Sequence, residues 1–395
     1  MSNEANLSLE EIESLVDYSS RYFMERLWPL QQKMDDEEWW PADEFKALAE
    51  MGLLGLTIPS DYGGQGLSYL AAGMMGEAMA YANPAFAFSW TSHENLCLDA
   101  LYRNCNEEQR QRFVPRMCAG ELIGGLGMTE PGAGSDAIGS MRTTARRVGG
   151  ERGDRYLLNG GKIYITNGPV ADLFLVYAKT DPTAGSKGVS AFIVEANSPG
   201  FKVAQKLDKM GFRGSPTGEL VFEDCEVPVE NLVGEENRGI AVMMSGLDVE
   251  RLLSAPLCIG PAQRALDLAI DHAKTRVQFG QPIGQFQLVQ AKLADMYAQI
   301  EVARTYLHKA LTICDNMELT QAGRGEIHKV SAAALMAASR AAKFVCDEGV
   351  QIFGGSGYMR DTEINRLYRT TKVMEIAAGS QEIRQTIIAK ELLRD

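Results

Sequence analysis

The chain lacks the spacings that hold metals. Its four histidines are scattered without an HExxH run. Its seven cysteines (Cys97, Cys105, Cys118, Cys225, Cys258, Cys314 and Cys346) form no CxxC pair. A metal site is therefore not expected, and an odd, dispersed cysteine set fits reduced, buried thiols. A basic excess is also missing. The formal net charge of −13 excludes nucleic acid as the main partner. No apolar run is long enough to span a bilayer, so membrane insertion is not expected. The first residues, Met1-Ser2-Asn3-Glu4-Ala5-Asn6, have neither the basic nor the apolar part of a secretion signal, so a soluble cytoplasmic protein is expected. There is no Walker loop. No clear Gly-x-Gly-x-x-Gly follows a strand, which disfavours nicotinamide binding on a doubly wound sheet.

What the chain does have is bulk and apolar content. With 395 residues and 45% hydrophobic side chains, it can fill two or three cores. Helical patterning runs from Ser8 to about Gly120, opening on a Ser8 cap with early acids. From Leu122 the pattern becomes short strands with Gly and Pro between them. Asn159-Gly160-Gly161 reads there as a hairpin turn. Long Ala-rich helices return from Arg238: Ala262–Thr275, Gln287–Asn316, Arg324–Phe353 and Gln381–Leu393. The expected architecture is α+β and multidomain. An N-terminal helical domain covers 1–124, a middle antiparallel β domain of sandwich or barrel type covers 125–237, and a C-terminal four-helix-type bundle covers 238–395.

One acidic residue stands out. At helical spacing Met243, Leu247, Glu250 and Ser254 share a face. A carboxylate on that mostly apolar stripe has a raised pKa if the stripe is buried, and so becomes a base for a weakly acidic proton. The alternative is a surface glutamate paired with a neighbouring arginine. Five other segments carry ligand-binding features, each with a plain structural alternative. Met128–Asp136 offers Gly132 and Gly134 for close backbone approach, with Thr129 and Ser135 hydroxyls; it also reads as an ordinary turn. Tyr164-Ile165-Thr166-Asn167-Gly168 places a ring and a hydroxyl at a strand end. Arg276–Ile283 sets a cation at a helix end. Gln351–Tyr358 is Gly-rich and doubles as a helix C-cap. Ser380 caps the helix that follows Ala377-Ala378-Gly379, leaving N–H donors at its start.

In this order and spacing the segments resemble the acyl-CoA dehydrogenase family over nearly the whole chain, least in the first forty or so residues. The resemblance implies FAD as cofactor, an acyl-CoA substrate, an electron-transferring flavoprotein as partner and a homotetramer. It implies flavin contacts from Met128, Thr129, Tyr164 and Thr166. Ser135 would reach the pyrophosphate or the pantetheine arm. Arg276, Gln278 and Phe279 would reach FAD from a neighbouring subunit, and Gln351, Gly354 and Gly355 would line its adenosine half. Ser380 and Glu382 also fall in the cofactor region, although Ser380-Gln381 departs from the usual Thr-Ser. Asp248 and Arg251 would hold the CoA portion.

Most family members carry the catalytic Glu where this chain has Ala378. The isovaleryl-CoA and long-chain branches carry it in a Leu-Asp-x-Glu-Arg setting, here Leu247-Asp248-Val249-Glu250-Arg251. Glu250 would then remove the substrate α-proton, and the Ala378 N–H would bind the thioester oxygen. Ser92–Cys97 and Lys206–Ser215 also resemble the isovaleryl branch. The small pair Ala377-Ala378 widens the pocket for a branched acyl group. A longer or isoprenoid-derived acyl-CoA, an oxygen-using oxidase and a flavin-binding relative without turnover remain open readings.

Overall fold

The computed structural model describes residues 7–149, 153–317 and 325–394. The first six residues and the expected helix start at Arg324 lie outside them. The N-terminal region is helical. Ser8 caps Leu9–Arg26 in a capping box: its hydroxyl accepts from the Glu11 N–H while the Glu11 carboxylate accepts from the Ser8 N–H at 2.8 Å. Tyr69–Ala82 is capped by Ser68 and is buried through small residues on several sides. Small residues let helices touch. A Cβ added at Gly260, in the helix Pro256–Thr275, would fall 2.5 Å from the Glu77 carbonyl oxygen.

The middle region is an eight-stranded sheet: β1 Gly124–Gly127, β2 Thr144–Val148, β3 Arg155–Thr166, β4 Leu173–Lys179, β5 Val189–Glu195, β6 Phe201–Lys206, β7 Thr217–Pro228 and β8 Leu232–Val233. Their order is β6-β7-β3-β2-β4-β5-β8, with β1 beside β4. Pairing is mostly antiparallel, but β1 and β2 each meet β4 in parallel. The expected hairpin at Asn159-Gly160-Gly161 does not form. These residues lie inside β3, where the register against β7 shifts between Leu158 and Gly160. Gly160 has φ 144°, and a Cβ there would sit 2.7 Å from the Thr143 Cα. The glycines make a bulge that lets the segment at Thr143 pass close, rather than a turn.

Strand alternation splits the packing. On β4, Leu173, Leu175 and Tyr177 face a core shared with Leu98, Leu101, Val242 and Met243, while Phe174, Val176 and Ala178 face a core internal to the β region. The C-terminal helices are Gly239–Ser254, Pro256–Thr275, Gln287–Asp315 and Glu326–Phe353, followed by Glu363–Thr371 and Gln381–Leu392. They share one continuous core with the N-terminal helices, including Phe23, Phe45, Met79, Leu252 and Leu335. The chain's two ends therefore pack together, and the helix carrying Glu250 lies where helical core and sheet meet. No helix among the described residues is long and apolar enough to cross a membrane.

Candidate active site

Glu250 lies near the C-terminal end of Gly239–Ser254 and keeps 8% of its surface exposed. Among the described residues no hydrogen bond or ion pair reaches its carboxylate. Burial pushes its pKa up to about 7, against the opposing charges of Arg251 and Arg384. The Tyr177 hydroxyl is raised by its own burial and then by the Glu250 charge. The neighbours of Glu250 are differently committed. Asp248 is 2% exposed, pairs with Arg251 at 2.9 Å, and accepts from Ser331 at 3.2 Å, with His328 Nδ1 at 2.7 Å. Asp248 and Arg251 thus tie this helix to Glu326–Phe353 from inside the helical region. Among the described residues Arg251 Nε has no hydrogen-bond partner.

The turn before the last helix is strained. Ala378 has φ 54° and Gly379 φ 85°. A left-handed non-glycine residue costs roughly 1–2 kcal/mol, so something must hold it. Arg384, fully buried one turn into Gln381–Leu392, does so. Its Nη2 donates to the Met374 carbonyl at 2.9 Å and to the Ala377 carbonyl, and its Nη1 donates to the Ser339 hydroxyl at 3.2 Å. With the Ala377 carbonyl drawn inward, the Ala378 N–H has no protein acceptor among the described residues. Ser380 caps the helix as expected, accepting from the Ile383 N–H at 3.4 Å. Glu382 is exposed, and its carboxyl is held low by a backbone hydrogen bond and by Ser380.

Met128 and Thr129 sit against β3. Lys162 Nζ donates to the Met128 carbonyl at 3.2 Å and to Glu130 at 2.8 Å, and the Ile163 N–H donates to the Thr129 carbonyl at 2.9 Å. Both members of the Lys162–Glu130 pair are buried. Glu130 also accepts from the Arg142 and Thr143 N–H groups at 2.6 and 3.0 Å. Burial raises its pKa, but Lys162 and these donors outweigh it and hold the carboxyl low. Gly132 and Gly134 border open space, and Ser135 is exposed. Tyr164 is 67% exposed with φ 61°, so its ring stands off the sheet; Thr166, two residues on, is half-buried.

The remaining expected cofactor residues gather at one end of the C-terminal helices. His272 and Phe353 stack at 4.2 Å. This sets the Arg276 turn beside the Gln351–Gly355 helix end. Arg276 and Gln278 are exposed, and Phe279 is 94% exposed on a small ribbon. Gly354 and Gly355 would meet nothing if given a Cβ. No hydrogen bond or ion pair among the described residues joins this end to the Met128 loop or to Tyr164.

Three family models match in sequence: the acyl-CoA dehydrogenase N-terminal domain over 9–121, the middle domain over 125–225 and the C-terminal domain over 237–393. The chain belongs to the acyl-CoA dehydrogenase family. Like its relatives it is an oxidoreductase. It is 43% identical to an isovaleryl-CoA dehydrogenase of Solanum tuberosum over 95% of this chain and 89% of that one. It is 44% identical to a 2-methylacyl-CoA dehydrogenase of the same plant, with the same coverage. Its fold matches butyryl-CoA dehydrogenase of Megasphaera elsdenii with TM-score 0.91 at 35% identity, over 98% of this chain and 100% of that one. It matches a glutaryl-CoA dehydrogenase–glutaryl-CoA complex at 0.92 and 34%, over 99% and 96%. It matches PigA with FAD and proline at 0.90 and 30%, over 98% and 99%.

Sequence reading missed Arg384, Lys162 and Glu130. Arg384 looked like one more charge on an ordinary helix, although its place among Ile383, Ile387 and Ile388 was a signal of burial. Lys162 and Glu130 are thirty-two residues apart, and only the strand pairing brings them together.

Proposed function

We propose that this chain is an FAD-dependent dehydrogenase of short, branched acyl-CoA thioesters, isovaleryl-CoA-like, with Glu250 as its base. The observation that carries this reading is a buried carboxylate with no hydrogen bond among the described residues and a pKa of about 7, close to Arg384, which holds a turn whose Ala378 N–H finds no acceptor among those residues. The α-proton of a thioester is far too weakly acidic for a solvated carboxylate. Burial makes Glu250 more basic, and the Ala378 N–H meets the charge that develops on the thioester oxygen. Removal of one such donor typically costs about 3 kcal/mol of transition-state stabilisation.

The residues present suit FAD. Tyr164 is an exposed ring beside the Met128–Thr129 backbone, and Gly132, Gly134, Gly354 and Gly355 leave room for a ligand to approach main chain. When bound, FAD supplies the acceptor for the β-hydrogen. In this reading Met128, Thr129, Tyr164 and Thr166 hold its ring, and Ser135 its pyrophosphate or the pantetheine arm. Gln351, Gly354 and Gly355 hold its adenosine half, with Ser380 and Glu382 close by. Arg276, Gln278 and Phe279 serve the site of a neighbouring subunit in a homotetramer, which accounts for a phenylalanine left 94% exposed. Asp248 and Arg251 brace the CoA side. An electron-transferring flavoprotein takes the electrons onward. Ala377 and Ala378 leave the acyl pocket wide, which favours a branch.

The test is anaerobic mixing with isovaleryl-CoA. The wild-type yellow protein bleaches. Glu250→Gln keeps its FAD and stays yellow; normal bleaching by that variant would remove Glu250 from the role of base.

A further inference from the structure

The residues that the cofactor reading places at the flavin ring lie on two segments without a common ladder. Among the described residues β1 pairs with β4, and β3 pairs with β2 and β7. Two pins join the segments instead. At one end the Ile163 N–H donates to the Thr129 carbonyl at 2.9 Å. At the other the Asn167 carboxamide donates to the Gly124 carbonyl at 3.2 Å. Met128, Tyr164 and Thr166 fall between the pins, and Thr129 forms one of them. The two backbones come close there. A Cβ at Gly125 would lie 3.3 Å from the Thr166 carbonyl oxygen.

Asn167 is 0% exposed and has φ 64°. Its Nδ2 also donates to the Ser89 carbonyl at 3.0 Å, on the helix Pro84–Thr91. One nitrogen thus holds that helix, β1 and the end of β3 at a single point. The amide cannot be turned over, since its oxygen would then face two carbonyls. Asn167 Oδ1 has no partner among the described residues. A stranded buried oxygen lowers stability, so stability alone does not explain the group. Asparagine meets both demands of the position: it tolerates a left-handed backbone, and its amide carries two N–H donors. Glycine meets only the first. His93, also 0% exposed, accepts the Gly124 N–H at Nδ1 at 3.0 Å. Gly124 is therefore gripped by both its N–H and its carbonyl.

We propose that Asn167 and His93 are positioning residues for the flavin cleft: they fix Gly124, and through it the spacing of Met128 from Tyr164 and Thr166. This rests on the reading of those three residues as ring contacts. Tyr164 shows what the frame must hold. It stands at φ 61° where the register of β3 against β7 shifts between Lys162 and Ile165. A left-handed aromatic residue costs energy and persists only where its surroundings enforce it. Asn167, three residues on, closes the segment that carries it.

The experiment compares wild type with Asn167→Gly, His93→Leu, His93→Asn and Asn231→Ala. Asn167→Gly keeps the left-handed backbone and removes only the carboxamide. Asn231→Ala is the reference: Asn231 is also buried and donates to the Ile193 carbonyl at 3.1 Å, on β5 and outside the frame. Each protein is measured for its FAD dissociation constant, the visible circular dichroism of the bound flavin and its urea midpoint. Asn167→Gly and His93→Leu are expected to weaken FAD binding by about tenfold to a hundredfold and to alter the visible dichroism. His93→Asn, whose Oδ1 can take the Gly124 N–H, recovers most of the loss. Asn231→Ala lowers the urea midpoint alone. Asn167→Gly that loses stability while keeping wild-type FAD affinity and dichroism overturns the proposal. So do His93→Leu and His93→Asn proteins that behave alike, a comparison that stands even where Asn167→Gly does not fold. Tyr164→Leu in the same assays separates the two failures. If it changes nothing, the ring reading falls; if it alters FAD binding while Asn167→Gly and His93→Leu do not, only the positioning role falls.

Discussion

Two glutamates of this protein are almost equally buried and behave oppositely. Glu130, in the loop ahead of β2, is 5% exposed, and Glu250, on a C-terminal helix, is 8% exposed. Water is withdrawn from both. Glu130 receives a lysine ammonium and two backbone N–H groups, and its pKa falls. Glu250 receives no hydrogen bond among the described residues, only the more diffuse field of Arg251 and Arg384, and its pKa rises to about 7. Burial alone therefore does not make a base. The Lys162 ammonium holds Glu130 down, whereas Glu94, whose oxygens accept only the Gly55 and Leu56 N–H groups among the described residues, is pushed up to about 7 as Glu250 is; what sets Glu250 apart is that its lone pairs are left for a substrate.

The sharpest way to break the contrast is to neutralise each acid's chemistry in turn. Glu250→Gln is expected to lower kcat by about 10³-fold or more with FAD retained, measured by dye-linked turnover. Lys162→Met leaves Glu130 a buried anion without its counter-ion, held only by the Arg142 and Thr143 N–H groups. It is expected to lose about 3–5 kcal/mol of stability in urea unfolding and to loosen the Met128 backbone, with faster FAD loss. Filling the partner's place on one side thus damages the fold, while removing the acid on the other damages only the chemistry.

A smaller effect tests the same contrast through pH. The folded pKa of Glu250 lies above its unfolded value, so the native state binds the extra proton. Stability attached to it is fully present below about pH 4.5 and is lost as pH rises through about 7. Glu250→Gln avoids that loss. It is expected to be more stable than wild type at pH 8, by up to about 3 kcal/mol, and to match it near pH 4. Paired urea titrations at the two pH values check this. A Glu250→Gln protein that is less stable at pH 8 would mean Glu250 is a strut after all.

The smallest expected effect concerns Arg384. Arg384→Lys keeps a cation near Glu250 but loses the fork that holds both the Met374 and Ala377 carbonyls. It is expected to lower kcat by roughly tenfold to a hundredfold with KM little changed, because in the proposed mechanism the Ala378 N–H acts most strongly in the transition state. Arg384→Gln also removes the charge and shifts the pH midpoint of turnover upward. Equal pH profiles in the two variants would separate Arg384 from the base.

Much of the site was legible in sequence because the relevant signals are local. The stripe of Met243, Leu247 and Glu250 announced a buried acid, and Ser380 announced a capped helix after a small-residue turn. The helical, β, helical order followed from a change of period. What could not be read depends on contacts between distant segments. Asn159-Gly160-Gly161 has a hairpin's composition, and only the passage of Thr143 beside Gly160 makes it a bulge. The Lys162–Glu130 pair needs β3 laid against the preceding loop. The shared core of the N- and C-terminal helices joins residues as far apart as Phe23 and Leu335, and no local pattern encodes it.

The account is tested most directly by the pH dependence of single-turnover flavin reduction by isovaleryl-CoA, wild type against Glu250→Gln. Wild type is expected to speed up about tenfold per pH unit below the midpoint and to level off above about pH 7. The residual rate of the variant is expected to be flat over the same range. A midpoint near 7 that persists in Glu250→Gln would assign the base to another group and contradict the account.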